Sequence, residues 1–186
     1  MTIEQIAAKI KQSSRTTKPT LIGIEGYGGS GKTTVARQLA DALGSAYVIT
    51  IDDFIVKAKL TEPSWDGGAF DLTRLERQVL SPVSHGQPVS YQRLQWETNT
   101  LSGPVTVPEV DYLIIEGISA YHPPIERYYD FTIWVETPLT LAQSRGHARD
   151  GSSENAAYWD LWARNDIAYQ QQYHPEARAD FVYLNA

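Results

Sequence analysis

Apolar residues near the start of the chain recur at helical spacing. Ile3, Ile6, Ala7 and Ile10 lie three or four positions apart behind Thr2, whose side chain suits an N-cap. This pattern predicts a short amphipathic helix with one buried face. The polar stretch that follows, SSRTTKP, predicts the end of this helix.

Further along, short apolar runs predict buried strands. The first run begins at Thr20, and the others cover residues 46–51, 111–117, 130–137 and 180–184. Helical patterns lie between the runs, over about residues 32–43, 72–82, 139–149 and 155–171. Strands that are apolar on both faces and alternate with helices are typical of a parallel sheet with helices on each side. The pattern therefore predicts an α/β fold in three layers, built on a five-stranded parallel sheet.

Two segments show neither helical spacing nor a continuous apolar run. Residues 57–70, KAKLTEPSWDGGAF, are rich in turn formers and predict a loop that becomes ordered on ligand binding. Residues 86–108 contain several prolines, glycines and β-branched residues, which is typical of a hairpin-like excursion outside the core.

Length and composition indicate one globular domain. The chain has 186 residues, of which 42% are hydrophobic and 20% are charged, as in ordinary globular proteins. We therefore expect a single domain over residues 1–186, with a helix and linker over residues 1–19.

Charge and cysteine usage exclude several classes of function. The formal net charge is −6, so no global basic field favours a nucleic-acid partner, and any phosphate site must be local. The chain has no cysteine, which excludes disulfides and thiolate metal sites.

The first ten residues, MTIEQIAAKI, do not resemble a signal peptide, because Glu4 and Lys9 interrupt the apolar stretch. No window approaches the roughly 18 apolar residues that span a bilayer. We therefore expect a cytoplasmic protein with no membrane partner. The sequence leaves the oligomeric state open, a homo-oligomer included.

The stretch GYGGSGKTT, residues 26–34, carries the strongest chemical signal. It fits the phosphate-loop motif G-x-x-x-x-G-K-[ST], with a predicted strand before it and a predicted helix after it. Small residues allow the backbone amides to surround a polyphosphate, and the helix N-terminus favours its negative charge. A plain glycine turn would not require the complete motif in this context. The predicted nucleotide-binding residues are Gly26, Gly28, Gly29, Ser30, Gly31, Lys32, Thr33 and Thr34.

Two side chains of this motif have specific predicted roles. Lys32 can reach the β- and γ-phosphates, and the Thr33 hydroxyl can bind Mg²⁺. The guanine-reading pattern N-K-x-D is missing, and RND at residues 164–166 is a poor substitute for it. The choice of ATP or GTP as donor stays open.

Carboxylates follow two of the predicted strands. Asp52 and Asp53 end the second strand, and Glu116 ends the third, so the sheet could bring them close to the phosphate loop. One carboxylate could take a proton from an acceptor hydroxyl, and another could orient the metal and its waters. Asp52 is the preferred catalytic residue over Asp53, and it is also a candidate magnesium-site residue together with Thr33 and Glu116. The alternative is that these carboxylates only end strands and accept turn hydrogen bonds.

Arg145 and Arg149 lie four positions apart on one predicted helical face. Such like charges repel modestly unless an anion or an acid lies between them. Phosphoryl transfer requires positive charge near the equatorial oxygens, so both arginines are candidate catalytic residues. The alternative is a solvated helix face.

Together, these segments resemble the uridine kinase and phosphoribulokinase-like group of P-loop kinases, with nicotinamide riboside kinases as near relatives. The resemblance extends over about residues 21–184, through the phosphate loop, IDDF, FDLTRLERQVLSPV, IIEGI and RGHARD. It implies a P-loop kinase fold with ATP and Mg²⁺. It also implies that Asp52 is the general base, that Glu116 helps to hold Mg²⁺, and that Arg145 and Arg149 belong to a lid over about residues 140–152.

The chain departs from this family in the stretch that reads the substrate. The corresponding segment is YQRLQWETNTL, which keeps Tyr91 but has Arg93 and Trp96 near the place of the family's histidine. Either Asp66 or Asp71 could hold ribose hydroxyls, and the sequence does not decide between them. The candidate substrate-binding residues are Asp53, Asp66, Asp71, Tyr91, Arg93 and Trp96.

The resulting hypothesis is an ATP-dependent kinase that transfers the γ-phosphoryl group to a hydroxyl of a small molecule, a nucleoside or a related riboside. One alternative is a kinase of another acceptor on the same scaffold, such as pantothenate, a sugar acid or an antibiotic. The other is a non-catalytic regulatory module gated by nucleotide.

Overall fold

A computed structural model describes residues 1–14, 18–150 and 157–185 of the chain. The strands of this part of the chain are β1 Thr20–Glu25, β2 Ala46–Thr50, β3 Ser90–Tyr91, β4 Leu94–Gln95, β5 Thr100–Leu101, β6 Val105–Thr106, β7 Tyr112–Glu116, β8 Phe131–Glu136 and β9 Phe181–Leu184. The α-helices are α1 Ile3–Ser13, α2 Lys32–Leu43, α3 Leu72–Leu75, α4 Ser81–Ser84, α5 Pro123–Glu126, α6 Leu139–Asp150, α7 Trp159–Tyr173 and α8 Pro175–Arg178.

Five strands form the central sheet in the order β2-β7-β1-β8-β9. All four neighbouring pairs are parallel, which confirms the predicted five-stranded parallel sheet. β1 lies in the middle, between β7 and β8. Because all strands run in one direction, their carboxyl ends meet at one edge of the sheet.

Alternate residues of the sheet face two separate hydrophobic clusters. Leu21 and Leu113 belong to one cluster, whereas their neighbours Ile22 and Ile114 belong to the other. The second cluster also contains the buried faces of α1 and α2, including Ile6. The central strands are apolar on both faces because both faces are covered, whereas Val182 and Leu184 of the edge strand β9 remain exposed.

The helix predicted after Asp71 is interrupted. Asp71 accepts a hydrogen bond from the Arg74 backbone at 2.9 Å and caps α3. Residues Glu76–Leu80 then form a π-helical turn before α4 begins. The apolar spacing predicts a helix here but does not distinguish the wider π turn from an α turn.

The two irregular segments pack outside the sheet. Residues 57–70, here called the acceptor loop, contain 3₁₀ turns at Lys57–Lys59 and Trp65–Gly67. The predicted excursion over residues 86–108 forms two small antiparallel pairs, β3 with β6 and β4 with β5. Among the described residues, no helix is long and apolar enough to cross a bilayer.

Candidate active site

The phosphate loop connects the central strand β1 to α2. The Lys32 ammonium donates to the carbonyl oxygens of Gly26 at 2.9 Å and Tyr27 at 2.8 Å. Burial lowers the pKa of Lys32, and the charge of nearby Glu116 opposes that change. The loop thus curls around its own lysine, at the centre of the sheet edge.

The outer wall of the phosphate loop packs against α6. Gly29 has a φ of +79°, and a Cβ there would overlap the Ala142 carbonyl oxygen. The Ser30 carbonyl accepts from Thr137 Oγ1 at 3.0 Å and from Asn185 Nδ2 at 2.7 Å. The loop conformation is therefore fixed by the segments that follow β8 and β9 as well as by its own glycines.

Glu116 ends β7 next to the start of α2. Thr33 Oγ1 donates to Glu116 Oε1 at 3.1 Å, and Thr50 of β2 pairs in register with Glu116. Glu116 is only 4% exposed, and burial raises the pKa of its carboxyl group while the Lys32 charge lowers it.

Asp52 lies in the 3₁₀ turn Ile51–Phe54 that follows β2. The residue is open to solvent, but the protein around its carboxyl group disfavours the charged form and raises its pKa. Lys32 and Arg149 oppose this effect. The structure therefore brings Asp52, the predicted general base, within electrostatic range of Lys32 and of Arg149, one of the two predicted lid arginines.

The oxygen atoms at this edge fit a magnesium ion that is bound together with nucleotide. Mg²⁺ usually takes one or two carboxylates, with phosphate oxygens and waters as its other ligands. The Thr33 hydroxyl and the Glu116 carboxylate are oxygen donors of this kind. The described residues contain no cluster of three or more His, Cys, Asp or Glu side chains placed to hold a metal by themselves.

The two predicted lid arginines have different surroundings on α6. Arg149 donates to both carboxylate oxygens of Asp150, at 3.0 Å each, and this contact raises the pKa of Arg149. Arg145 Nη1 lies 3.5 Å from the Asn185 carbonyl oxygen, beside the phosphate loop. The end of the predicted lid, residues 151–152, lies outside the described residues.

A cavity of about 530 Å³ opens beside the segment that follows Asp52. The acceptor loop reaches this segment, because Ile55 pairs with Phe70 and the Asp71 amide donates to the Phe54 carbonyl at 2.8 Å. The lining residues are Val56, Trp65, Asp66, Gly68, Phe70, Asp71, Leu72, Thr73, Ser119, His122 and Tyr173.

Both aspartates between which the sequence left the choice open line this cavity. Asp66 accepts from the Tyr173 hydroxyl at 2.9 Å and lies 3.5 Å from His122 Nε2. Asp71 caps α3 and also lies 3.4 Å from Arg74 Nε. Asp71 is therefore the more heavily engaged in holding its own helix.

Asp53, Tyr91 and Arg93 form a separate cluster. The Tyr91 hydroxyl donates to Asp53 Oδ2 at 3.3 Å and accepts from Arg93 Nε at 3.0 Å. Trp96 is 41% exposed and stacks under the Lys57 ammonium, 5.5 Å from the ring centre. These predicted substrate residues are not among the cavity-lining residues, so the structure divides the predicted set between two places.

Two cavity residues, His122 and Tyr173, are not among the residues predicted from sequence. Burial lowers the pKa of His122, and its Nδ1 has no hydrogen-bond partner among the described residues. A signal for His122 was its position shortly after the carboxyl end of β7. Tyr173 lies in the last turn of α7, and nothing in the local pattern links it to Asp66, 107 residues away.

Comparison with known proteins shows which family this chain is similar to. Residues 21–160 match the sequence profile of the Phosphoribulokinase / Uridine kinase family. The chain is 29% identical over 145 residues to a uridine kinase of Lactobacillus helveticus, covering 72% of this chain and 68% of that protein. It is 30% identical over 143 residues to a uridine kinase of Halobacterium salinarum, covering 69% of this chain and 61% of that protein.

Solved structures show the same fold. A structure described as a possible uridine kinase from Bacillus stearothermophilus aligns with a TM-score of 0.74 at 23% identity, covering 97% of both chains. A shikimate kinase from Acinetobacter baumannii in complex with shikimate aligns with a TM-score of 0.52 at 16% identity, covering 95% of this chain and 86% of the other.

Proposed function

We propose that this chain, which belongs to the phosphoribulokinase/uridine kinase family, is an ATP-dependent kinase that phosphorylates a hydroxyl group of a nucleoside or a related riboside. Family membership and the curated uridine kinases among its relatives support the reaction class. The observation that carries the proposal is structural. The phosphate loop, the Asp52 carboxylate and a cavity of suitable size lie at the same edge of the sheet.

The side chains at this edge divide the tasks of phosphoryl transfer. Lys32 would exchange its two carbonyl partners for phosphate oxygens, and the Thr33 hydroxyl and Glu116 would hold Mg²⁺. A metal held there would supply positive charge that partly neutralises the phosphates. Asp52 would accept the proton of the acceptor hydroxyl and orient water around the metal, while Arg145 and Arg149 would stabilise charge on the transferring group.

The cavity favours a neutral acceptor that carries hydroxyl groups. Within the described part of the chain, its lining contains two aspartates and neither lysine nor arginine. An anionic acceptor, such as pantothenate or a sugar acid, would be desolvated there without a positive partner, at a high energetic cost. Trp65 and Phe70 add flat apolar surface, which suits a nucleobase.

An acceptor panel tests this proposal. ADP release is measured with ATP and Mg²⁺ and, in separate reactions, uridine, cytidine, adenosine, nicotinamide riboside, pantothenate, glycerate and an aminoglycoside. We expect one or more of the nucleosides and ribosides to stimulate ADP release and the two acids to have no effect. Stimulation by an acid or the aminoglycoside alone would contradict the proposed acceptor class. ADP release that no acceptor stimulates would favour the regulatory module.

The proposal also includes the setting of the enzyme. ATP and Mg²⁺ are its donor and metal, and its acceptor is a small molecule. We place it in the cytoplasm, in agreement with the lack of cysteine. Its net charge of −6 supports an enzyme with no nucleic-acid partner.

A further inference from the structure

The acceptor loop rests on one face of α7. Trp162 Nε1 donates to the Leu60 carbonyl at 2.9 Å, and Asn165 Nδ2 donates to the Glu62 carbonyl at 2.9 Å. Tyr173 reaches Asp66 further along the same helix. Positions three or four apart lie on the same side of a helix, so α7 holds the loop along much of its length.

Asp166 on the same face differs from these residues because it also contacts the phosphate loop. Its Oδ1 accepts from Trp65 Nε1 of the acceptor loop at 2.8 Å. Its Oδ2 accepts from the Gly28 amide of the phosphate loop at 2.7 Å. The residue is 6% exposed, so water cannot easily replace either hydrogen bond.

The two partners of Asp166 belong to the two substrate sites. Trp65 lines the acceptor cavity, and Gly28 lies inside the phosphate-loop motif. A Cβ on Gly28 would lie 3.2 Å from Asp166 Oδ2, which leaves little room for a side chain at that contact. Moving either loop away from Asp166 would leave a buried carboxylate oxygen unpaired, at a typical cost of about 1–3 kcal/mol.

We propose that Asp166 is a positioning residue that couples the acceptor loop to the phosphate loop, so that nucleotide binding orders the acceptor site and acceptor binding strengthens nucleotide binding. This coupling rests on the proposed kinase function, but it concerns a residue with no direct part in the chemistry. Because coupling free energies are reciprocal, the effect can be measured from either site.

Two tryptophan variants separate this coupling from simple anchoring of the loop. Trp65→Phe removes the indole N–H that binds Asp166 and keeps an aromatic ring in place. Trp162→Phe is the matched control, because it removes an indole hydrogen bond between the same loop and the same helix without a link to the phosphate loop. Hydrogen–deuterium exchange of residues 57–70 is followed in both variants and the wild type, with and without Mg²⁺ and a non-hydrolysable ATP analogue.

We expect nucleotide to slow this exchange in the wild type and in Trp162→Phe by roughly fivefold or more, the low end of typical coupling. In Trp65→Phe the same nucleotide, at saturation, should slow exchange by less than about twofold. The proposal would be overturned if nucleotide slowed exchange equally in all three proteins, or if both variants lost this slowing to the same extent. It would also be overturned if nucleotide did not slow exchange in the wild type. Since no acceptor is present, failure of the coupling is distinguishable from failure of the acceptor panel.

A kinetic measurement distinguishes positioning from a loss of folded protein. With uridine as the probe acceptor, saturating uridine should lower the KM for ATP in the wild type and in Trp162→Phe but not in Trp65→Phe. Destabilised protein would instead lower kcat and leave this dependence of KM unchanged, which would contradict the proposed role.

Discussion

Lys32, Asp52 and Glu116 illustrate how desolvation and neighbouring charge oppose each other at single residues. Desolvation by the surrounding protein lowers the pKa of the lysine and raises the pKa of both acids, although only Lys32 and Glu116 are buried and Asp52 is open to solvent. The lysine charge counteracts the shift of each acid, and the Glu116 and Asp52 charges counteract the shift of the lysine. The lysine charge therefore favours the ionised form of each acid, and each acid favours the ionised lysine, whereas the Asp52 charge disfavours ionisation of Glu116. A change at one position should alter the titration of its neighbours.

The first prediction concerns Asp52, the proposed general base. Asp52→Asn should keep nucleotide affinity and lower kcat by about 10²–10⁴, the usual contribution of general acid–base catalysis. Asp53→Asn is the neighbouring control, since Asp53 is engaged by Tyr91. Nucleotide affinity by calorimetry and turnover with uridine check both variants. Unchanged turnover in Asp52→Asn, or an equal loss in the two variants, would remove Asp52 from the proposed role.

The second prediction concerns Glu25, at the end of β1. The residue is 1% exposed, and its Oε1 accepts from the Tyr121 amide at 2.7 Å and the Tyr169 hydroxyl at 3.2 Å. Its Oε2 has no hydrogen-bond partner among the described residues. Burial raises the pKa of Glu25 to about 8, despite these two donors. The protonated acid is therefore the stable form in the folded protein at neutral pH.

This shift gives stability a definite pH dependence. Between the unfolded pKa and about 8, the folded state binds the proton more tightly than the unfolded state. The free energy of unfolding should therefore fall as pH rises through this interval, by up to about 1.4 kcal/mol per pH unit. Glu25→Gln mimics the protonated acid and should remove this contribution. Urea denaturation of both proteins at about pH 5 and about pH 8 measures the difference, and identical pH dependence in the two proteins would refute it.

At the level of elements, α6, which carries the predicted lid arginines, is fixed by a close contact with α7. A Cβ on Gly146 would overlap the Trp159 ring, and His147 places its ring 5.4 Å from the same indole. A Cβ on Gly29 of the phosphate loop would likewise overlap the Ala142 carbonyl oxygen of α6. α6 therefore packs closely against both the phosphate loop and α7, and these two contacts depend on two glycines.

The third prediction tests this contact. In an ordinary helix interior, replacing Gly by Ala would stabilise the folded protein by about 1 kcal/mol. At Gly146 the clash with Trp159 should prevail, because overpacking of a tight contact costs about 1–3 kcal/mol. Gly146→Ala should thus lower Tm by several degrees. Gly103→Ala, where a Cβ would meet nothing within 4 Å, should leave Tm nearly unchanged. Tm is measured by differential scanning fluorimetry. A Tm of Gly146→Ala equal to or above that of the wild type would contradict the close contact between Gly146 and Trp159.

Elements with strong local patterns could be predicted from the sequence. The strands could be found because both of their faces are apolar, and α2 because the phosphate-loop motif precedes it and Gly44 ends it. The π-helical turn at Glu76–Leu80 could not be found, since it has no distinct apolar spacing. The path of the acceptor loop depends on hydrogen bonds to α7, a helix about one hundred residues later.

The whole molecule shows why the candidate site was only partly predictable. Residues at strand ends could be assigned because parallel strands bring their carboxyl ends together. Asp166 could not, because its partners lie 138 and 101 residues away in the chain. From sequence, residues 164–166 were of interest only as a poor match to a guanine-reading pattern. Long-range contacts of single polar side chains leave no periodic signal in one sequence.

Phosphoryl transfer to a nucleoside is tested most directly by product analysis. The protein is incubated with uridine, Mg²⁺ and ATP that carries a labelled γ-phosphate, and the products are separated and identified by mass spectrometry. We predict uridine monophosphate that carries the label, in an amount equal to the ADP released, and its loss in Asp52→Asn. ADP accompanied only by labelled inorganic phosphate, with uridine unchanged, would contradict a uridine kinase-like activity.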